Sequence, residues 1–82
     1  MAEDLLARIS VDPAVMLGKP VIRGTRVTVE LVLEKIAAGC SVDDVLADYA
    51  NLERLDVLAA VAFARQALST DEIIPRIRLS SG

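Results

Sequence analysis

One segment of the sequence, residues 57–64, contains no polar residue at all. It lies within a longer segment, residues 54–68, whose apolar spacing predicts an α-helix. A helix that is apolar on every side is normally buried on every side. Because a chain of 82 residues forms one small domain, its core covers only one face of such a helix, and we expect a second face to be left for another molecule. The side chains available for packing are Leu55, Leu58, Ala62 and Phe63.

Two shorter helices are predicted before this one, each with recognisable end signals. The first covers residues 29–38, with Thr28 as its N-cap and Gly39 as the residue that ends it. The second covers residues 42–49 and starts after Ser41, which resembles the first residue of a capping box. Three short helices joined by tight turns suggest a helix-turn-helix, in which the third helix would enter the major groove of DNA.

Residues 9–28 have the apolar clusters and turn signals of an extended arm that ends in a hairpin. The pair Gly24-Thr25 is predicted to form a two-residue type II′ turn, which places Arg23 opposite Arg26 across the strands. Two like charges in this position are unfavourable. Either solvent separates the two flexible side chains, or an anion such as a phosphate or a partner's carboxylate binds between them.

The C-terminal tail, residues 69–82, is apolar and is interrupted by Pro75. One interpretation is a short strand that docks on its own domain or on a dimer mate. The other is a partner-binding segment that becomes ordered on contact. The predicted partner-binding residues are Ile73, Ile74, Ile77 and Leu79.

The formal net charge is −3, but the charges are unevenly distributed. Lys19, Arg23 and Arg26 form a basic patch without an intervening acidic residue, whereas residues 40–56 hold an excess of carboxylates against Arg54 alone. The three hairpin cations could each neutralise a phosphate of DNA. Arg54 is the favourable residue at the start of the third helix, where neighbouring carboxylates repel phosphates. These four residues are the predicted nucleic-acid contacts.

The residue types that catalysis needs are scarce. The sequence has no histidine and one cysteine, Cys40, which excludes an internal disulfide, a Cys/His metal site within one chain and a histidine-dependent triad. Cys40 is interpreted as a structural thiol, with a reactive thiol near a helix start as the alternative. Asp43 and Asp44 are interpreted as partners of the helix dipole, with paired functional acids as the alternative. We expect no enzyme activity and no cofactor.

Targeting signals are not evident in the sequence. The N-terminus carries Glu3 and Asp4 and does not resemble a signal peptide. No apolar run approaches the roughly 20 residues that span a bilayer. Together with the lone cysteine, these features predict a cytoplasmic protein that does not bind membranes.

Several motifs resemble a known family. They are Gly18-Lys19-Pro20-Val21-Ile22-Arg23-Gly24-Thr25-Arg26-Val27, then Val29-Glu30-Leu31-Val32, Ala38-Gly39-Cys40-Ser41-Val42-Asp43-Asp44-Val45-Leu46 and Asp48-Tyr49. Over roughly residues 9–64 the chain is similar to the family called domain of unknown function 433. The resemblance implies a helix-turn-helix unit of homeodomain-like type with a β arm, in a dimeric antitoxin that blocks a PIN-like ribonuclease toxin and represses its own operon. It implies no catalytic residues.

The chain departs from the pattern of that family at four positions. Leu17 stands where the family often has Gly, and Thr28 and Ala50 stand where it often has Pro. Glu53 stands near the position at which a Thr often caps the third helix.

The sequence as a whole predicts a mainly α fold in a single domain, residues 1–82. It consists of a β arm and hairpin at 9–28, a three-helix homeodomain-like helix-turn-helix unit at 29–68 and an apolar tail at 69–82. We expect a homodimer built through the arms and the third helix. The predicted function is that of an antitoxin that neutralises a PIN-like ribonuclease toxin and binds operator DNA. The alternatives are a stand-alone DNA-binding regulator and a protein-binding adaptor that makes no nucleic-acid contact.

Overall fold

The computed structural model describes residues 5–69, in which two short strands precede three helices. The strands are β1 (Ile9–Ser10) and β2 (Val21–Ile22), and a short turn with left-handed backbone angles, Met16–Gly18, lies between them. The helices are α1 (Val29–Ala37), α2 (Val42–Asp48) and α3 (Arg54–Leu68). The predicted mainly α class, with three helices after an antiparallel pair of strands, is confirmed. The tail residues Ile73, Ile74, Ile77 and Leu79 lie outside the described residues.

The first two helices begin and end at residues with the expected side-chain chemistry. The Thr28 hydroxyl accepts a hydrogen bond from the backbone N of Leu31 at 3.0 Å, which caps α1. After α1, Gly39 adopts φ +100°, a conformation that glycine takes without steric penalty. Lys35 near the end of α1 donates to Asp48 of α2 at 2.8 Å. This bond raises the pKa of Lys35 and joins the two helices.

Helix α2 starts with a reciprocal capping box. The hydroxyl of Ser41 accepts from the backbone N of Asp44 at 3.1 Å, and Asp44 Oδ2 accepts from the backbone N of Ser41 at 2.9 Å. The bonds from the backbone N and the hydroxyl of Ser41 lower the pKa of Asp44. Because folding lowers this pKa, the ionised Asp44 carboxylate stabilises the folded protein at pH values above the pKa of the unfolded chain. This stabilisation is lost as the pH falls through the pKa of the folded protein. Asp44 is therefore a capping residue.

The hairpin differs from its prediction in the turn. Strand β1 pairs with β2 in the register Ile9↔Ile22, and the chain returns to place Thr28 beside Val21. Between them, the backbone N of Thr25 donates to Ile22 O at 3.0 Å, and Gly24 has φ +82°. Positive φ at the third residue of a four-residue turn is the pattern of a type II turn. The predicted two-residue type II′ turn is therefore wrong.

The side chain of Thr25 explains this difference. Its hydroxyl donates to Ile22 O at 2.7 Å and accepts from the backbone N of Val27 at 2.9 Å. These two bonds satisfy backbone groups inside the loop. The last pair that joins the two strands is therefore Ile22 with Val27, through the bond from Ile22 N to Val27 O. Arg23 and Arg26 consequently lie in the loop and not in opposed strand positions.

The core lies between the hairpin and the three helices. It is built mainly from β-branched and small side chains, with Val32, Val45 and Val57 essentially inaccessible to solvent. Its other buried members are Ile9, Ile22, Val27, Val29, Leu52, Ala59 and Ala60. Helix α3 packs against α1, α2 and β1 and forms one wall of this core.

The buried face of α3 is not the predicted one. Leu55 and Leu58, which were expected to pack inside, are 46% and 42% exposed. Val57, Ala59 and Ala60 are buried in their place. Two alanines on the inner face allow the backbone of α3 to approach its neighbours closely, and this approach leaves the larger leucines outside. The other two expected packing residues, Ala62 and Phe63, are half-buried.

Candidate interaction surfaces

The outer side of α3 carries a row of exposed apolar side chains. We call Leu55, Leu58, Val61 and Leu68 the outer α3 face; their exposed fractions lie between 42% and 60%. These positions are three, three and seven residues apart, which places them along one side of a helix. Singly exposed leucines are ordinary, but several large apolar side chains along one side of a helix are typical of an interaction surface. The expected uncovered face of this helix is therefore present.

Two arginines border the outer α3 face. Arg54 donates to Asp43 at the start of α2, so its charge is matched within the chain. Arg65 is exposed and forms no ion pair within residues 5–69. The surface is therefore apolar along its length, with a single unmatched positive charge towards its C-terminal end.

The predicted basic patch is divided by the fold. Lys19 Nζ lies 3.1 Å from Glu30 Oε1 at the start of α1, and both side chains are largely exposed. Arg54 pairs with Asp43, as described above. The patch is free of acidic residues along the sequence, but in space a carboxylate accompanies Lys19. Arg54, which lies outside the patch, is paired in the same way. Exposed pairs of this kind contribute little to stability, although they reduce the local positive potential.

Arg23 fastens the N-terminal strand to the turn. Its Nε donates to Ala7 O at 2.9 Å, and its Nη2 donates to Ile9 O at 3.2 Å. Its backbone N also donates to Arg8 O at 2.8 Å. Arg26 is exposed and makes no side-chain hydrogen bond or ion pair within the part of the chain that the structure describes. Of the four predicted nucleic-acid contacts, Arg26 is thus the one whose donors are all available to a ligand.

Replacing Arg23 with alanine is expected to lower the free energy of unfolding by about 1 kcal/mol, because two hydrogen bonds to backbone carbonyls are lost. The matched control is Arg26→Ala in the same turn, which should change stability by less than about 0.5 kcal/mol. Urea denaturation of the two variants measures the difference. Equal stability of the two variants would show that the Arg23 bonds are not formed in solution.

A buried carboxylate holds the N-terminal segment against the start of α3. Asp56 is 7% exposed. Its Oδ1 accepts from Arg8 Nη1 at 3.0 Å, and its Oδ2 accepts from the backbone N of Glu53 at 2.8 Å. The same Arg8 nitrogen lies 3.0 Å from Glu53 Oε1. The bonds to Asp56 and then to Glu53 hold the pKa of Arg8 above its ordinary value.

Sequence reasoning treated Asp56 only as a group that repels phosphates, and it placed Glu53 near the position of the missing Thr cap. The signal that identifies their structural role is the spacing of Glu53 and Asp56, which is that of a capping box. Asp56 supplies the second half of this box, because its carboxylate accepts from the backbone N of the N-cap residue Glu53. The long-range partner Arg8 could not be found in the same way, because it lies 48 residues away in the chain.

A family model matches residues 9–64, from β1 to the middle of α3. This match covers more than half of the chain. The chain belongs to the DUF433 family. The family is described as protein of unknown function, and the predicted resemblance is confirmed. Searches of the curated proteins and of the solved structures found no significant match.

The DUF433 match contains the hairpin, α1, α2 and most of the outer α3 face. It ends before Arg65 and Leu68. Residues 5–69 of this DUF433 chain contain no cluster of three or more Cys, Asp or Glu side chains placed to bind a metal ion. Cys40 is a half-buried free thiol in the corner between α1 and α2. None of the helices described is long and apolar enough to cross a membrane.

A second apolar surface lies where the N-terminal segment meets the end of α3. It is a groove of about 310 Å³. Its lining residues come from the N-terminal segment and from the last turns of α3: Leu6, Ile9, Val11, Phe63, Gln66 and Ala67. Because the chain leaves α3 at Ser69, this groove adjoins the point at which the apolar tail begins.

Proposed function

We propose that this protein is an antitoxin-type binding protein, which forms a homodimer and neutralises a PIN-like ribonuclease. The observation that carries the proposal is the outer α3 face, a row of exposed apolar side chains that the core of the described residues does not cover. The family resemblance supports the nature of the partner. Apolar area removed from water contributes roughly 25 cal/mol per Å², so covering this row supplies free energy that a small domain lacks by itself.

The residues of the outer α3 face suit a two-fold symmetric contact. If two copies of α3 pair in antiparallel orientation about the midpoint between Val61 and Ala62, Leu55 of one copy faces Leu68 of the other. Leu58 then faces Arg65, whose aliphatic stem can cover it. A two-fold interface must be complementary to itself, and this arrangement places apolar atoms opposite one another along the helix. Val61 and Ala62 at the centre are small enough to let the helices approach.

Replacing Val61, which lies beside the two-fold axis in this arrangement, with glutamate is expected to convert the dimer into a monomer. Symmetry places two carboxylates in one apolar interface, and burying an unpaired charge is strongly unfavourable. We expect the dissociation constant of the dimer to rise at least about 100-fold, which corresponds to about 2.7 kcal/mol. Light scattering on a size-exclusion column measures the mass.

The matched control is Ala37→Glu, which adds the same charge at an exposed helical position on α1. This variant should keep the mass of the wild type. A monomeric wild type, or a Val61→Glu variant that remains dimeric, would contradict the assignment of the outer α3 face to self-association.

Operator binding is the second part of the proposal, and it depends on Arg26. A two-fold symmetric dimer presents two Arg26 side chains, and such a symmetric pair suits a palindromic site. Gel shifts with the promoter of the protein's own operon across a salt series test this, because phosphate contacts weaken steeply as salt rises. We expect Arg26→Ala to weaken binding and to flatten the salt slope. Binding that is insensitive to Arg26 and to salt would remove DNA from the proposal.

The alternative of an adaptor that binds only protein is favoured by one observation. Lys19, Arg23 and Arg54 already bind groups within the chain. This leaves few free cations for phosphates. A stand-alone DNA-binding regulator is the weaker alternative for the same reason.

Co-expression with a PIN-like ribonuclease encoded beside this protein tests the central proposal. With the affinity tag on the nuclease, we expect the two chains to purify together and RNA cleavage by the nuclease to be suppressed. A nuclease that stays fully active with this protein in excess, and that does not retain it on the column, would refute the antitoxin function.

A further inference from the structure

The loop between β1 and β2 displays a leucine on a strained backbone. Met16, Leu17 and Gly18 have φ values of +49°, +60° and +85°. Such left-handed conformations are easy for glycine and unfavourable for residues with a Cβ atom. The side chain of Leu17 is also 94% exposed. Both the backbone and the side chain are therefore in unfavourable states in the isolated domain.

Hydrogen bonds on both sides hold this turn in place. Gly18 N donates to Val15 O at 3.0 Å, and Lys19 N donates to Met16 O at 3.1 Å. Further along, Val29 N donates to Pro20 O at 2.9 Å, which ties the loop to the start of α1. Leu17 is thus presented on a fixed support. Backbone strain that the surrounding structure maintains is concentrated at binding and catalytic sites.

The surroundings of Leu17 restrict what it can contact. An open hollow of about 480 Å³ lies beside it, lined by Met16, Leu17, Lys19, Thr28, Glu30, Leu31 and Glu34. Lys19 is paired with Glu30, whereas Glu34 forms no ion pair within residues 5–69. The rim therefore carries an unmatched negative charge, which repels nucleic-acid phosphates and anionic lipid headgroups. A protein surface with an apolar pocket and a cationic rim is complementary to it.

We propose that Leu17 is an anchor that inserts into an apolar pocket with a cationic rim on the ribonuclease partner. This inference rests on the proposed function and names the surface that makes the contact. A second copy of the chain is a poorer occupant, because a symmetric contact of two such hollows would bring their unmatched Glu34 carboxylates together. Anchors of this kind, seated in pockets, carry a large share of binding energy.

The test compares Leu17→Gly with Leu17→Met in binding to the purified ribonuclease by titration calorimetry. Glycine relieves the backbone strain and removes the side chain, so we expect the Tm to rise by a few degrees and the affinity to fall at least about 10-fold. Methionine keeps a long apolar side chain at the same position, and its affinity should stay within about 3-fold of the wild type. Glu34→Gln should weaken binding and reduce its salt dependence.

The outcomes separate this inference from the proposed function. If the wild type does not bind the ribonuclease, the antitoxin function fails and the anchor fails with it. If the wild type binds and Leu17→Gly binds equally well, only the anchor is refuted. A Leu17→Gly variant with a Tm at or below that of the wild type would overturn the premise of backbone strain.

Discussion

Replacing Asp56 with alanine is expected to lower the free energy of unfolding by about 2–3 kcal/mol, which is a large part of the stability of so small a domain. The substitution removes the acceptor of the Glu53 backbone N and one of the two carboxylates that bind Arg8. The Glu53 N is left without its acceptor at the start of α3, and Arg8 keeps only an exposed partner. The effect arises because Asp56 is buried and serves two donors at once.

The control for this prediction is Glu53→Gln, which changes the exposed member of the same cluster. We expect this variant to differ from the wild type by less than about 0.5 kcal/mol, because exposed ion pairs contribute little. Chemical denaturation followed by circular dichroism measures both variants. If Asp56→Ala were as stable as Glu53→Gln, the Arg8 cluster would not hold the N-terminal segment to α3.

Replacing Ile22 with alanine is expected to unfold most of the protein as an isolated chain. Ile22 is 1% exposed and lies in β2, which pairs with β1. Truncation of a buried isoleucine typically removes about 2–5 kcal/mol, because apolar contacts are lost and a cavity remains. A core of this size supplies roughly 3–5 kcal/mol in total. We expect loss of the helical circular dichroism signal and of dispersed amide resonances at 25 °C.

The matched control is Val11→Ala, which shortens an exposed apolar side chain one residue after β1. It should remain folded, with a change of less than about 0.5 kcal/mol. Addition of the ribonuclease should restore some structure to Ile22→Ala, because a ligand that binds only the folded state stabilises it. A helical, cooperatively unfolding Ile22→Ala variant would mean that the helices do not depend on the hairpin.

Both predictions concern the attachment of the N-terminal arm. Arg8 binds Asp56, Arg23 binds the carbonyls of Ala7 and Ile9, and Ile9 packs in the core. In the described residues, the arm is therefore part of the folded domain and not a free strand that reaches towards DNA. Among the described residues, the outer α3 face, Leu17, Arg26 and the groove beside Phe63 remain available for partners.

The positions of the helices were predictable from the sequence because short-range chemistry determines them. Thr28 and Ser41 accept hydrogen bonds from residues three positions ahead, and Gly39 adopts the left-handed conformation that ends α1. Each of these effects acts within one turn of the chain. The predicted ends of α1 and α2 are therefore within one residue of those observed, and those of α3 agree with the structure.

The orientation of α3 was decided only by the tertiary structure. Residues 57–64 of this helix contain no polar residue to show which side faces inwards, so Leu58 was as acceptable in the core as Val57 and Ala60. Packing against α1, which requires small side chains at the contact, selected the latter. The Lys19–Glu30 and Arg8–Asp56 pairs were likewise invisible, because a sequence shows the charges of residues far apart in the chain but not the distances between them. Local chemistry placed the elements of this protein, and the packing between those elements decided which of its surfaces remain for partners.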